Sequence, residues 1–91
     1  MAFVGMDTDL ATSQAATLNS QGVDGVQALI SQLDSLVAQI SDNWKGTDSA
    51  NFASEWTSSH RTNLMNVHSA LVDFHTRFNQ NIQDQIATSA S

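Results

Sequence analysis

His60, His68 and His75 are the residues of this chain with the widest chemistry, since imidazole ligates metals and moves protons near neutral pH. They are separated by eight and seven residues. A single ion held on a helix takes ligands three or four residues apart, as in the HExxH pairing. Two turns of helix set these rings roughly 11 Å apart. No one ion bridges that gap, so a metal site would need ligands from another chain. The three histidines fall roughly on one side of the second half of the chain, His60 on an apolar stripe and His68 and His75 beside it. Protonation there would weaken an interface in an acidified compartment. Other reactive groups are scarce. There is no cysteine, hence no thiolate nucleophile, thiolate metal site or disulfide. No Gly-x-Ser-x-Gly elbow or Gly-rich phosphate loop occurs, and the acids form no pair anchored in a pocket. The sequence therefore points away from an enzyme, a cofactor and a small-molecule substrate.

Charge narrows the partners. The 91 residues carry a formal net charge of −6, with only Lys45, Arg61 and Arg77 as fixed cations. Phosphate backbones call for a basic surface, so nucleic acid is not expected as a ligand. An anionic membrane surface would repel the chain, so direct membrane action is not expected either. The segment MAFVGMDTDL has neither a basic n-region nor an apolar h-region, and no apolar run reaches transmembrane length. These features suggest residence in the cytoplasm, or export by a route that ignores signal peptides.

The elements that would position these residues are helices. There is no proline and there are only four glycines, too little punctuation for a many-turned β fold. Residues 1–6 read as a loose arm. Asp7, Thr8 and Asp9 are candidate caps that place negative charge at a helix start. From about 8 to 42 the apolar pattern is helical, with Val26, Leu29, Leu33, Leu36 and Ile40 as its seam at alternating spacings of three and four. Ile30 and Val37 widen the seam on one side, and Ala11, Ala15 and Leu18 extend it upstream. Gly22 and Gly25 lie inside this helix, each at up to ~1 kcal/mol relative to alanine. They mark either a weak point or the close approach of a neighbouring helix.

Residues 43–47 (NWKGT) interrupt the pattern. Gly46 suits a tight turn, and Thr47 or Asp48 can cap the second helix. That helix is expected from about 48 to 87. Its stripe is Phe52, Trp56, His60, Leu64, Val67, Leu71, Phe74, Phe78, Ile82 and Ile86. Trp56 reads as core; Met65 and Val72, a heptad apart, read as scattered surface apolars. About forty residues of helix make a rod of roughly 60 Å, and a short turn folds the two rods into an antiparallel hairpin. Two helices bury little, and this chain has no staple. The expected architecture is a single all-α domain over residues 1–91, an antiparallel two-helix hairpin that dimerises into a four-helix bundle. The residues of that core and interface are Val26, Leu29, Leu33, Leu36, Ile40, Phe52, Trp56, Leu64, Val67, Leu71, Phe74 and Phe78.

Trp44-Lys45-Gly46, midway along the chain and between two long helices, resembles the WxG signature of the ESAT/CFP-like (WxG-hundred) family of type VII secretion substrates. Phe52, six residues after Gly46, matches an aromatic often found early in that family's second helix. The resemblance extends to length, hairpin, central WxG and missing cysteine. It implies a protein secreted without a cleavable signal peptide and cytoplasmic before export, whose folded dimer docks on a type VII secretion ATPase. It also implies a related hairpin, or a second copy, as partner. Trp44 would be the presented aromatic of a recognition element made by the turn of one chain and the tail of its partner, and Gly46 would permit the turn. Less favoured is Trp44 as a core plug at the end of the hairpin, and a half-buried tryptophan can do both jobs.

One departure is informative. The chain has no tyrosine, so it holds no Tyr-x-x-x-Asp/Glu tail signal, and neither His68 nor His75 has an acid four residues on. Phe78 to Asp84 has the wrong spacing for a substitute. The missing signal favours a heterodimer whose partner supplies the tail over a homodimer. Three other readings stand beside it: a homodimeric family member, an extracellular effector (a virulence factor) perturbing host membranes or binding a host protein, and a cytoplasmic helical adaptor.

Overall fold

The structure, a computed structural model, describes residues 5–90, with side chains through Thr88. Two long arms pack antiparallel. Each arm is one run of helix interrupted by a π-turn. The first comprises α1 (Thr8–Thr17), a π-turn (Leu18–Val23) and α2 (Asp24–Asn43). The second comprises α3 (Thr47–Glu55), a π-turn (Trp56–His60) and α4 (Arg61–Ala90). No strand occurs among the described residues. The expected arm at residues 1–6 lies largely outside the described residues. Of it, Met6 packs on the cluster formed by Ala11, Ala15 and Ile82.

Local signals account for the ends. Asp7 is the N-cap of α1: its Oδ1 accepts from the Leu10 N–H at 3.2 Å and its carbonyl from the Ala11 N–H at 2.9 Å. α2 runs to Asn43 and breaks where Trp44 turns extended (φ −126°, ψ 111°). The cap of α3 is Gly46 and not Thr47 or Asp48, with no side-chain cap bond. Its φ of 123° and ψ of −179° lie in a region essentially closed to other residues. Backbone geometry, not side-chain chemistry, therefore starts the second arm.

Packing reflects the antiparallel pairing. Along α2 the residues turned to the other arm are Val26, Ile30, Leu33, Val37 and Ile40; along α4 they are Arg61, Leu64, His68, Leu71, His75, Phe78, Ile82 and Gln85. Spacings of three and four alternate in both runs. Ile30 and Ile82 are each only 1% exposed. Small residues let the arms close at the open end, where Ala11 and Ala15 meet Ile82 and Phe78. At Gly22 an added Cβ would lie 3.3 Å from Leu18 Cδ1 and 3.9 Å from the Leu71 methyls, so this glycine admits its neighbours. Gly25 faces nothing nearer than the Ser20 carbonyl at 4.0 Å.

The hairpin measures 66 × 17 × 13 Å, one layer of two helices. Its accessible surface is 6430 Å², against about 5,200 Å² for a compact monomer of this mass. Its radius of gyration is 19.8 Å, against about 12 Å for a compact domain of this length. One layer gives each helix a single sheltered side, and much of the apolar stripe stays outside.

Candidate protein-interaction surface

The two π-turns decide which residues are sheltered. Their signature bonds close over five residues: the Asp24 N–H donates to the Asn19 carbonyl, and the Arg61 N–H to the Trp56 carbonyl. Both segments are weak α-helix formers, with Asn19, Ser20 and Gly22 in the first and Thr57, Ser58 and Ser59 in the second. In the second, hydroxyls bond back to the backbone, from Thr57 to Ala53 (3.2 Å) and from Ser58 to Ser54 (2.8 Å), a pattern that loosens a helix. Each turn carries one residue more than an α-helix would use, and everything downstream is rotated by roughly 100°.

That rotation separates the expected seam into two sets. Val26, Leu33, Ile40, Trp56, Leu64, Leu71 and Phe78 are half-buried against the other arm. Leu29, Leu36, Val67 and Phe74 are exposed, by 42, 48, 47 and 61%. Ile30 and Val37, expected at the edge, take the central places on α2. The histidines exchange roles with the expectation for the same reason. His68 and His75 sit half-buried between the arms, whereas His60 is exposed and meets Glu55, 3.3 Å away. Among the described residues no three acidic or histidine side chains gather at one point.

The exposed four share one side of the hairpin. Leu29 and Leu36 each precede an inward residue (Ile30, Val37), and so do Val67 and Phe74 (His68, His75). In an antiparallel pair, a two-fold axis normal to the hairpin's plane exchanges the arms and keeps the front in front. Equivalent positions on the two arms thus fall on the same flank. Phe52, which precedes the inward Ala53, belongs to that flank too and is exposed. Its ring packs on Trp44, centroids 5.8 Å apart and planes tilted by 53°. Trp44, 42% exposed, is thus no core plug: it stands at the hairpin tip beside the front flank, on a turn fixed by Gly46.

The rear flank is built differently. Asp34 follows the inward Leu33 there, and its carboxylate accepts from the Trp56 indole N–H at 2.9 Å and from Arg61 Nε at 3.0 and 3.2 Å. The Arg61 guanidinium and the Trp56 hydrogen bond hold the Asp34 carboxyl below its ordinary range, against a smaller opposing effect of burial. Arg61 also reaches Met65 Sδ at 3.8 Å. Met65 and Val72 are exposed beyond it. Sequence reasoning missed Asp34 altogether. The available signal was an acid midway along an apolar helix, opposite two of the few donors, an arginine and a tryptophan.

No helix among the described residues is long and apolar enough to cross a membrane. No protein-family model matches the chain, and neither a curated protein nor a solved structure does.

Proposed function

We propose that this chain is one hairpin of a secreted pair exported by a type VII machinery, with a related but different hairpin seated on its front flank. The observation that carries this reading is the flank itself: Leu29, Leu36, Val67, Phe74 and Phe52, contributed by both arms, form an apolar side that neither arm covers. Large apolar side chains aligned in this way mark interaction sites. The surface in excess of a compact monomer is roughly 1,200 Å², more than the about 800 Å² each partner hides in a standard interface. A second hairpin fits in length, and it completes a four-helix bundle. A net charge of −6 opposes self-pairing and favours a less acidic partner. Trp44 and Phe52 lie where the paired bundle ends, and the docking surface for the secretion ATPase is assigned to them and to the partner's tail.

The test is made in the strain that encodes the chain. The protein is expected in culture supernatant free of lysis markers and absent from it when the secretion ATPase is inactivated. Trp44→Ala should keep the pair assembled in the cytoplasm and stop its export. A protein found only inside cells, or export of the Trp44→Ala variant at the normal level, would refute the reading.

A further inference from the structure

We infer that the π-turn Trp56–His60 is a register element locked by Asp34, and that it selects which face of the second arm the hairpin presents. Asp34 holds two donors, Trp56 and Arg61, which are five residues apart. On an α-helix that spacing sets two side chains roughly 140° apart, on different faces. Only the wider π-turn brings both to one carboxylate. The carboxylate closes with the indole N–H at 2.9 Å and the guanidinium Nε at 3.0 Å. The backbone bond from Arg61 to the Trp56 carbonyl spans the same five residues. Asp34 on the first arm therefore holds the π state of the second.

The alternative state is written in the sequence. Were 56–60 to close as α-helix, the inward line set by Ser49, Ala53 and Trp56 would continue through His60, Val67 and Phe74. Val67 and Phe74 would then turn inward, while His68, His75 and Arg61 would turn out. By hydrophobicity alone that register is the better one, because it shelters a valine and a phenylalanine in place of two histidines and an arginine. The structure adopts the other, with Phe74 61% exposed and His68 and His75 half-buried. What the α register lacks is the Arg61 contact to Asp34 made together with that of Trp56. The π-turn Leu18–Val23 acts in the same sense on the first arm, since an unbroken helix from Ala11, Ala15, Leu18 and Gly22 would carry Leu29 and Leu36 inward. One extra residue in each arm thus turns two apolar pairs onto a common flank. This register belongs to the folded chain alone, so it stands or falls separately from any secretion role.

The chain has no cysteine, which makes an introduced thiol a clean reporter of exposure. Single variants Val67→Cys, His68→Cys, Phe74→Cys and His75→Cys are labelled with a thiol reagent in dilute, monomeric protein. Because thiol reactivity at matched pKa depends on access, positions 67 and 74 should react roughly threefold or more faster than 68 and 75. Deleting Ser58, which removes the extra residue and lets the segment close as α-helix with the downstream face unchanged, should preserve that order even when Asp34 is also replaced by alanine. Asp34→Ala, which keeps the chain length, should shrink the difference while far-ultraviolet circular dichroism still reports helix. Equal reactivity at all four positions in the unaltered background would overturn the inference. So would an order reversed by the deletion, or a difference that Asp34→Ala leaves unchanged in the full-length chain. If the deletion variant does not fold, the Asp34→Ala labelling decides alone.

Discussion

The two flanks of this hairpin are made from the same two helices and finished in opposite ways. On the rear flank a carboxylate, an indole and a guanidinium from both arms meet within hydrogen-bond distance and close the surface on itself. On the front flank both arms offer large apolar side chains, and neither arm covers them. Polar groups satisfy one another across a narrow seam because hydrogen bonds are directional and need few atoms. Apolar groups need area, and a single layer of two helices does not supply enough for both sides. The rear flank is thus part of the hairpin's own folding, whereas the front flank is left uncovered by it.

Removing the seam on which both flanks hang should have the largest effect. Ile82→Ala empties a site 1% exposed against Ala11 and Ala15. It should cost about 2–5 kcal/mol, a large share of what a domain this small has. Urea titration followed by circular dichroism measures it. Phe74→Ser probes the front flank alone. In the isolated hairpin its effect should stay within about 0.5 kcal/mol, because the ring is exposed. In the pair it should weaken association by about 2 kcal/mol, roughly thirtyfold, as a central aromatic does. Next is Gly46→Ala. The added Cβ meets nothing within 4 Å, so any effect is backbone strain at φ 123°, of order 1–3 kcal/mol.

The flanks should also differ in acid. The Asp34 carboxyl is held below its ordinary value of 3.8 by Arg61 and Trp56. A group whose pKa is depressed on folding contributes stability above the unfolded value and loses it as pH falls through the folded one. Helicity and thiol exposure should therefore be flat from pH 7 to 5 as far as Asp34 is concerned, and its contribution should fade only below about 3.8. Asp34→Asn should remove that acid limb. The smallest effect belongs to Glu55→Gln, which loses only an exposed contact to His60 and should change stability by less than about 0.5 kcal/mol.

Much of the fold was legible in the sequence because it depends on local signals. The break at NWKGT, the glycine that permits it and the apolar periodicity together dictate two long antiparallel helices. The register was not legible from an α-helical template. Leu29, Leu36, Val67 and Phe74 fit the same three-and-four spacing as the residues that turn inward, so they read as one seam with them. The trace of the π-turn was nonetheless present. From Phe52 to Leu64 the stripe steps by four three times over, through Trp56 and His60, more than an α-helical seam allows. An extra residue at that excess moves His60 out and His68 and His75 in. Asp34 was invisible to periodicity because its role depends on which side chains of the second arm come opposite it.

Whether the front flank seats a second, different hairpin is decided by the mass in solution of the purified chain. Sedimentation across concentration would be run on the chain alone and mixed with a helical hairpin protein of WxG type from the same organism. The expected result is a monomer alone, a one-to-one complex with the partner hairpin, and a complex that dissociates when Phe74 is replaced by serine. A chain that forms a stable dimer with itself, or a complex whose affinity is unmoved by Phe74→Ser, would overturn the assignment of that flank.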